Sequence, residues 1–275
     1  MKSSTLPFPS DHRLKELFSM ASCQLRERSR SLVVFLDTRM EGLIVAWIAL
    51  ILMLGLAKVA IAPVPVTSFA AGLVPLLPYL LIAFSPVAGY RVAAGSFPKG
   101  LLSAQPIVRL CRYGSWRQLD TLSARQNPAF GPVGFMASLL VGLLLNVPFR
   151  SLEFMLAVPA IAPGAPDWAH VLMWAMTADV VVMNFFYMIC FVMAIRSVPL
   201  FPRMLLFAWI ADVVMQLAIA QQFAALPGTP PEVASALQTL IEGNLQKVAI
   251  SAFVWIPYLV LSERVNITFR QRVRN

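Results

Sequence analysis

The chain has 275 residues, of which 59% are hydrophobic and 13% charged, with a mean hydropathy of +0.73. Soluble domains are about 45–50% apolar and about 25% charged, so a soluble core of this length could not hide the apolar surface, and the bilayer must serve as part of the solvent. A net charge of +9 would suit nucleic acid, but the basic residues flank apolar runs rather than forming a patch of their own, and nucleic acid is not expected as a partner.

Residues 11–30 place Leu14, Leu17, Phe18, Ala21 and Leu25 at helical spacing, with Arg26, Arg28 and Arg30 near one end. That pattern predicts an amphipathic helix on the inner leaflet. The amino-terminal segment lacks a small-residue cleavage site, so the first span is expected to act as its own insertion signal.

A spanning helix needs roughly 20 mostly apolar residues. Six segments qualify, at 42–62, 67–90, 131–150, 168–195, 204–225 and 247–262. The predicted fold is an all-α polytopic membrane helix bundle with short amphipathic surface helices. Its organisation reads as a cytoplasmic segment 1–41, two spans over 42–90, a basic connection 91–130, a four-helix module 131–262 and a basic tail 263–275. The stretch from Phe149 to Ala162 is read as a re-entrant or interfacial continuation of the third span, on the outside.

Lys and Arg near span ends resist translocation. Of 22 basic residues, 19 fall on alternate connections when six spans are drawn. Only Lys58, Arg150 and Lys247 lie elsewhere, all at outer span ends where long side chains can snorkel to headgroups. The expected location is a bacterial inner membrane with both termini in the cytoplasm. Attraction to anionic lipid on that face, about 1 kcal/mol per basic residue, accounts for the clusters.

Two connections carry local signals. Ser115 and Gln118 suggest a capping box ahead of Trp116, Leu119 and Leu122, hence a short surface helix. Thr229-Pro230-Pro231-Glu232 predicts a second helix start, with Val233, Leu237, Leu240 and Ile241 on one face and an end near Gly243. Pro75, Pro78 and Pro86 crowd the second span, and Pro257 lies in the last; each removes a backbone hydrogen bond that neighbours or water must replace.

Chemistry-bearing residues are few. Cys23, Cys111 and Cys190 have no CxxC spacing, and His12 and His170 have no partner ligand nearby; neither a disulfide framework, a metal site nor a cofactor is expected. Hydrolase and nucleotide-binding motifs are missing, and no catalytic residue is assigned. What remains are polar groups deep in spans, which are costly there and face bundle interiors. Asp179 lies near the middle of the fourth span and Asp212 near the middle of the fifth, with Gln216 one turn beyond on the same face. They read either as polar packing contacts between helices or as a protonatable relay, with packing preferred. Arg150 and Glu153, three apart, are expected to pair with each other at the outer interface.

At the carboxyl end, Val254-Trp255-Ile256-Pro257-Tyr258 is followed by Ser262-Glu263-Arg264-Val265-Asn266-Ile267-Thr268-Phe269. This resembles the terminal signature of a bacterial membrane family catalogued as domain of unknown function two-five-six-nine. Phe185-Phe186-Tyr187 and Phe201-Pro202-Arg203 add to the likeness, while Glu263 stands where that family usually has a basic residue. The resemblance covers about residues 131–275 and implies a four-helix membrane module without supplying a reaction. Trp255, Tyr258 and Arg264 are candidates for anchoring or docking. Function is expected to be that of a non-catalytic accessory or assembly component, with a membrane protein or a second copy of the chain as partner. The alternative is a small proton-coupled transporter or channel.

Overall fold

A computed structural model describes residues 11–61, 69–100, 104–107, 114–161 and 164–275, the first part of each of the opening two helices by its backbone alone. Six described helices are long and apolar enough to cross a membrane. The described residues are all-α apart from two short strands: α1 (Asp11–Ile61), α2 (Phe69–Ser96), β1 (Trp116–Gln118), α3 (Thr121–Gln126), α4 (Phe135–Ala157), α5 (Asp167–Ile195), α6 (Phe201–Ala224), α7 (Pro231–Leu261), α8 (Glu263–Arg270) and β2 (Arg272–Arg274).

Helix α5 is the hub, buried almost all round, against which α2, α4 and α6 pack, while α1 lies on α2 and α7 on α6. The α2–α5 contact is intimate because Gly89 lets the backbones meet: a Cβ there would sit 2.5 Å from the Phe185 carbonyl oxygen. Small residues at such contacts let helices approach where lipid supplies no hydrophobic drive. Ser85, beside Pro86, donates to the Val181 carbonyl across the same interface. Trp47 of α1 donates to Ala83 O at 3.0 Å, next to the Ile82 carbonyl whose helical donor Pro86 removes. The first two spans are therefore built into the same core as the other four.

Several boundaries depart from the sequence reading. Among the described residues no separate surface helix precedes the first span: α1 runs unbroken for 51 residues, about 76 Å at 1.5 Å per residue, and the side chains of His12, Leu14, Leu17, Phe18, Ala21 and Leu25 lie outside what the structure describes. The third span does not end at Arg150; α4 continues to Ala157, and the expected re-entrant stretch begins as its last two turns. The capping box at Ser115 does not form. Trp116–Gln118 pairs antiparallel with Arg272–Arg274, and the short helix starts later, at Thr121, where Asp120 accepts from the Leu122 amide. Thr229 does not cap α7 either; its hydroxyl donates to Leu226 O at 3.2 Å. Pro230 occupies the cap position, and α7 passes through Gly243 without ending.

The basic tail is folded. Within α8, Val265, Asn266, Ile267, Thr268 and Phe269 are all buried. Asn266 donates to Val260 O and Ser262 O at 3.0 and 2.9 Å and accepts from Arg270 and Arg272 at 2.9 and 2.8 Å. Arg272 lies over the Trp116 ring, 5.0 Å from its centroid. Thr268 accepts from the Gly131 amide, which ties this end to the entry of α4.

Candidate functional site

On α4 the residues Leu140, Leu143, Val147, Arg150, Ser151 and Phe154 recur at three- and four-residue intervals and form its buried face. The period that directs Val147 inward directs Arg150 inward too. On α6 the corresponding stripe is Leu205, Ala208, Trp209, Asp212, Gln216 and Ile219. Helix α5 contributes Asp179 and, two turns on, Tyr187. Three helices thus deliver one cation, two carboxylates, a phenol and an amide to one depth of the bundle.

There Arg150, only 8% exposed, sits between the two aspartates, each 1% exposed. Its Nη1 and Nη2 meet Asp212 Oδ2 and Oδ1 at 2.8 and 2.6 Å, a two-pronged contact. Its Nε and Nη2 lie 3.3 and 3.2 Å from Asp179 Oδ2. Tyr187 donates to Asp212 Oδ2 at 2.7 Å, and Gln216 Nε2 donates to Asp179 Oδ1 at 3.0 Å. Every carboxylate oxygen has a donor, as a buried charge requires. One guanidinium faces two carboxylates, so the cluster carries one formal negative charge in excess when all three are ionised.

A cleft of about 480 Å³ opens beside this cluster, between α4 and α7. Arg150, Asp212, Tyr187 and Trp209 line it inside; Asn146, Phe149 and Glu153 come from α4, and Asn244, Lys247 and Ser251 from α7. The two flanking helices are tied at both ends. At one end Phe135 of α4 meets Trp255 and Tyr258 of α7, ring centroids 5.0 Å apart in each case. At the other Lys247 pairs with Glu153 across the mouth. From that rim the polar contacts run inward: Lys247 to Asn244 Oδ1 at 3.4 Å, Asn244 to Gln216 Oε1 at 3.5 Å, then Gln216 to Asp179.

Nothing matches the chain among family models, curated proteins or solved structures.

The structure joins Asp179, Asp212 and Gln216, which sequence singled out, into one network. It corrects the expected pairing of Arg150 with Glu153. Arg150 turns into the bundle to the aspartates, and Glu153, nearer the surface, takes Lys247 instead. The physical reason is desolvation: a buried guanidinium needs carboxylates that are buried with it, and two facing helices supply them. Tyr187, Asn244 and Trp209 were not singled out as site residues. The available signal was a charge imbalance, since two mid-span carboxylates call for a cation at the same depth. Trp255 and Tyr258, both half-buried, meet Phe135 of α4, and Arg264, also half-buried, has its Nε 3.8 Å from where a Cβ on Gly134 would lie.

A second buried pair lies one residue along α4, where Asn184 Nδ2 donates to Ser151 Oγ at 2.9 Å and Ser151 donates to Val147 O at 2.8 Å. Cys190 is a free thiol in the apolar core. Among the described residues no group of three or more His, Cys, Asp or Glu side chains could hold a metal ion.

Proposed function

We propose that this multi-pass membrane protein is a small ion-coupled carrier of a bacterial inner membrane, with both termini in the cytoplasm, taking a polar ligand into the α4–α7 cleft. The observation that carries the reading is the Arg150–Asp179–Asp212 cluster at the wall of that cleft, with its excess carboxylate and its polar connection to the rim. Ionisable groups in spans mark substrate and ion pathways by default, because they are too costly to keep otherwise. A proton or a cation matches the excess charge, and the ligand and that charge share Asp212. The family that the carboxyl-terminal signature resembles belongs to this proposal and adds no reaction to it.

The accessory or assembly reading is supported by one feature: every charged group of the cluster is already partnered within the bundle, as a structural clamp between α4, α5 and α6 would be. Proteoliposomes holding a trapped pH-sensitive dye separate the two. With a panel of amino acids, amines, betaines and sugars outside, a carrier gives solute-dependent acidification of the lumen that Asp212→Asn abolishes. No solute response from folded protein, together with stable recovery of a larger complex from native membranes, would establish the accessory role instead. Reporters fused after Arg196 or Asn275 should read the cytoplasm, and those inserted at Ala165 or Gly228 the opposite side; the reverse pattern would overturn the orientation.

A further inference from the structure

Three aromatic side chains from three different helices line the cleft: Phe149 of α4, Tyr187 of α5 and Trp209 of α6. Two carboxylates, Asp212 and Glu153, line it with them. An aromatic ring presents a negative face, and several rings around one site form the cage that receives alkylated ammonium groups, whose methyls are apolar while their charge is positive. The buried Asp212 carboxylate beside these rings adds ordinary attraction for the same charge, strengthened by the low dielectric around it.

The formal charge points the same way. Arg150 and Lys247 are matched by Asp212 and Glu153, and Asp179 behind them leaves one negative charge over. Neutral polar groups are also free to bind: Asn146 and Ser251 line the cleft from opposite helices, and neither side chain forms a hydrogen bond within the described residues. Volume is compatible as well, since small-molecule sites run about 300–1,000 Å³ and this one is about 480 Å³.

We infer that the cleft is a binding site for a zwitterion bearing a methylated ammonium group, with the ammonium among Phe149, Tyr187 and Trp209 against Asp212, and the anionic end toward Lys247 at the mouth. This rests on the carrier reading and names its ligand class. A free betaine and a choline lipid headgroup present the same ammonium. They differ in route, because the mouth between α4 and α7 opens beside Phe149, which is 62% exposed.

Binding is measured on the purified full chain by isothermal titration with glycine betaine and with choline, and by native mass spectrometry from nanodiscs of phosphatidylcholine or phosphatidylglycerol. Saturable betaine binding, weakened at least tenfold by Phe149→Leu and by Trp209→Leu but retained in Trp209→Phe, supports a soluble zwitterion. Selective retention of phosphatidylcholine with the same dependence on variants supports the headgroup. The exposed Phe149→Leu variant keeps the test valid if Trp209→Leu fails to fold. Failure of all three ammonium probes to bind folded protein overturns the inference. So does binding that is indifferent to Phe149→Leu. If a solute without ammonium drives dye acidification through Asp212, the ligand class is wrong and the carrier stands; if no solute does, the carrier fails too.

Discussion

Arg150 of α4 and Asp212 of α6 form a two-pronged ion pair inside the membrane-spanning bundle, at 2.8 and 2.6 Å. A guanidinium fork matches a carboxylate in this way and an ammonium does not. The pair joins two helices that α5 separates along the chain, and Asp179 of α5 completes it from the third side.

Removing the cation should be far worse than removing all three charges. Arg150→Met leaves two carboxylates buried with nothing opposite, and breaking a buried pair in this way costs about 3–5 kcal/mol. Combining Arg150→Met with Asp179→Leu and Asp212→Leu should recover most of the loss, because a well-packed apolar replacement is often neutral. Reversible unfolding in mixed micelles checks both. A single variant within about 1 kcal/mol of the parent would show that the cluster is solvated rather than buried.

Asparagine at one aspartate should be tolerated by the fold. Asp212→Asn leaves Arg150 balanced by Asp179 alone, and the altered hydrogen bonds should cost no more than about 1.5 kcal/mol. Asp179→Asn behaves alike, with Asp212 as the remaining partner. The double variant strands the guanidinium and should lose about 3–5 kcal/mol, more than the two singles together. Additivity of the two single losses would mean that the carboxylates do not share Arg150. On the carrier reading each single variant also loses solute-driven proton movement, since an amide cannot take up a proton.

How much of this was legible in the sequence depends on which residues carry the signal. The six spans were, because each needs only a run of apolar residues of bilayer length, and the inward face of α6 was, because Asp212 and Gln216 are one turn apart. Arg150 was misread because its nearest opposite charge in sequence is Glu153, while its partners lie 29 and 62 positions away. Local spacing cannot rank such pairs; burial does. The helix end expected near Gly243 failed for a related reason: a glycine inside a helix costs only about 1 kcal/mol, which tertiary packing overrides, so α7 runs on to Leu261. Strand β1 had no local signal at all, since its three residues find their partner at the other end of the chain.

The α2–α5 contact should be intolerant of the smallest side chain. A methyl at Gly89 would fall 2.5 Å from Phe185 O, which is backbone and cannot swing aside. Gly89→Ala should therefore push the helices apart and destabilise by about 1–3 kcal/mol, the cost of overpacking. Gly142→Ala on α4, where nothing lies within 4 Å of the new Cβ, is the control and should be neutral or slightly stabilising. Equal effects at the two positions would contradict the close approach.

The folded tail gives the last test, centred on Asn266. This side chain is fully buried and joins four groups: it donates to the carbonyls of Val260 and Ser262, where α7 ends, and accepts from Arg270 and Arg272. Leucine there is near enough in size to keep the volume filled, so any loss reflects polar groups left without partners. Each buried orphan costs about 1–3 kcal/mol. Asn266→Leu should thus release Arg272 from its seat over Trp116 and with it the β1–β2 pairing that the tail makes with residues 116–118. Brief trypsin treatment of membranes reads this directly, because Arg117 and Arg272 lie in paired strands in the parent protein. Cleavage at both should accelerate together in the variant while the spanning bundle stays intact on gels. Cleavage at Arg272 alone would show that the strand at 116–118 holds without its partner, and unchanged cleavage at both would show that Asn266 is not what holds the tail.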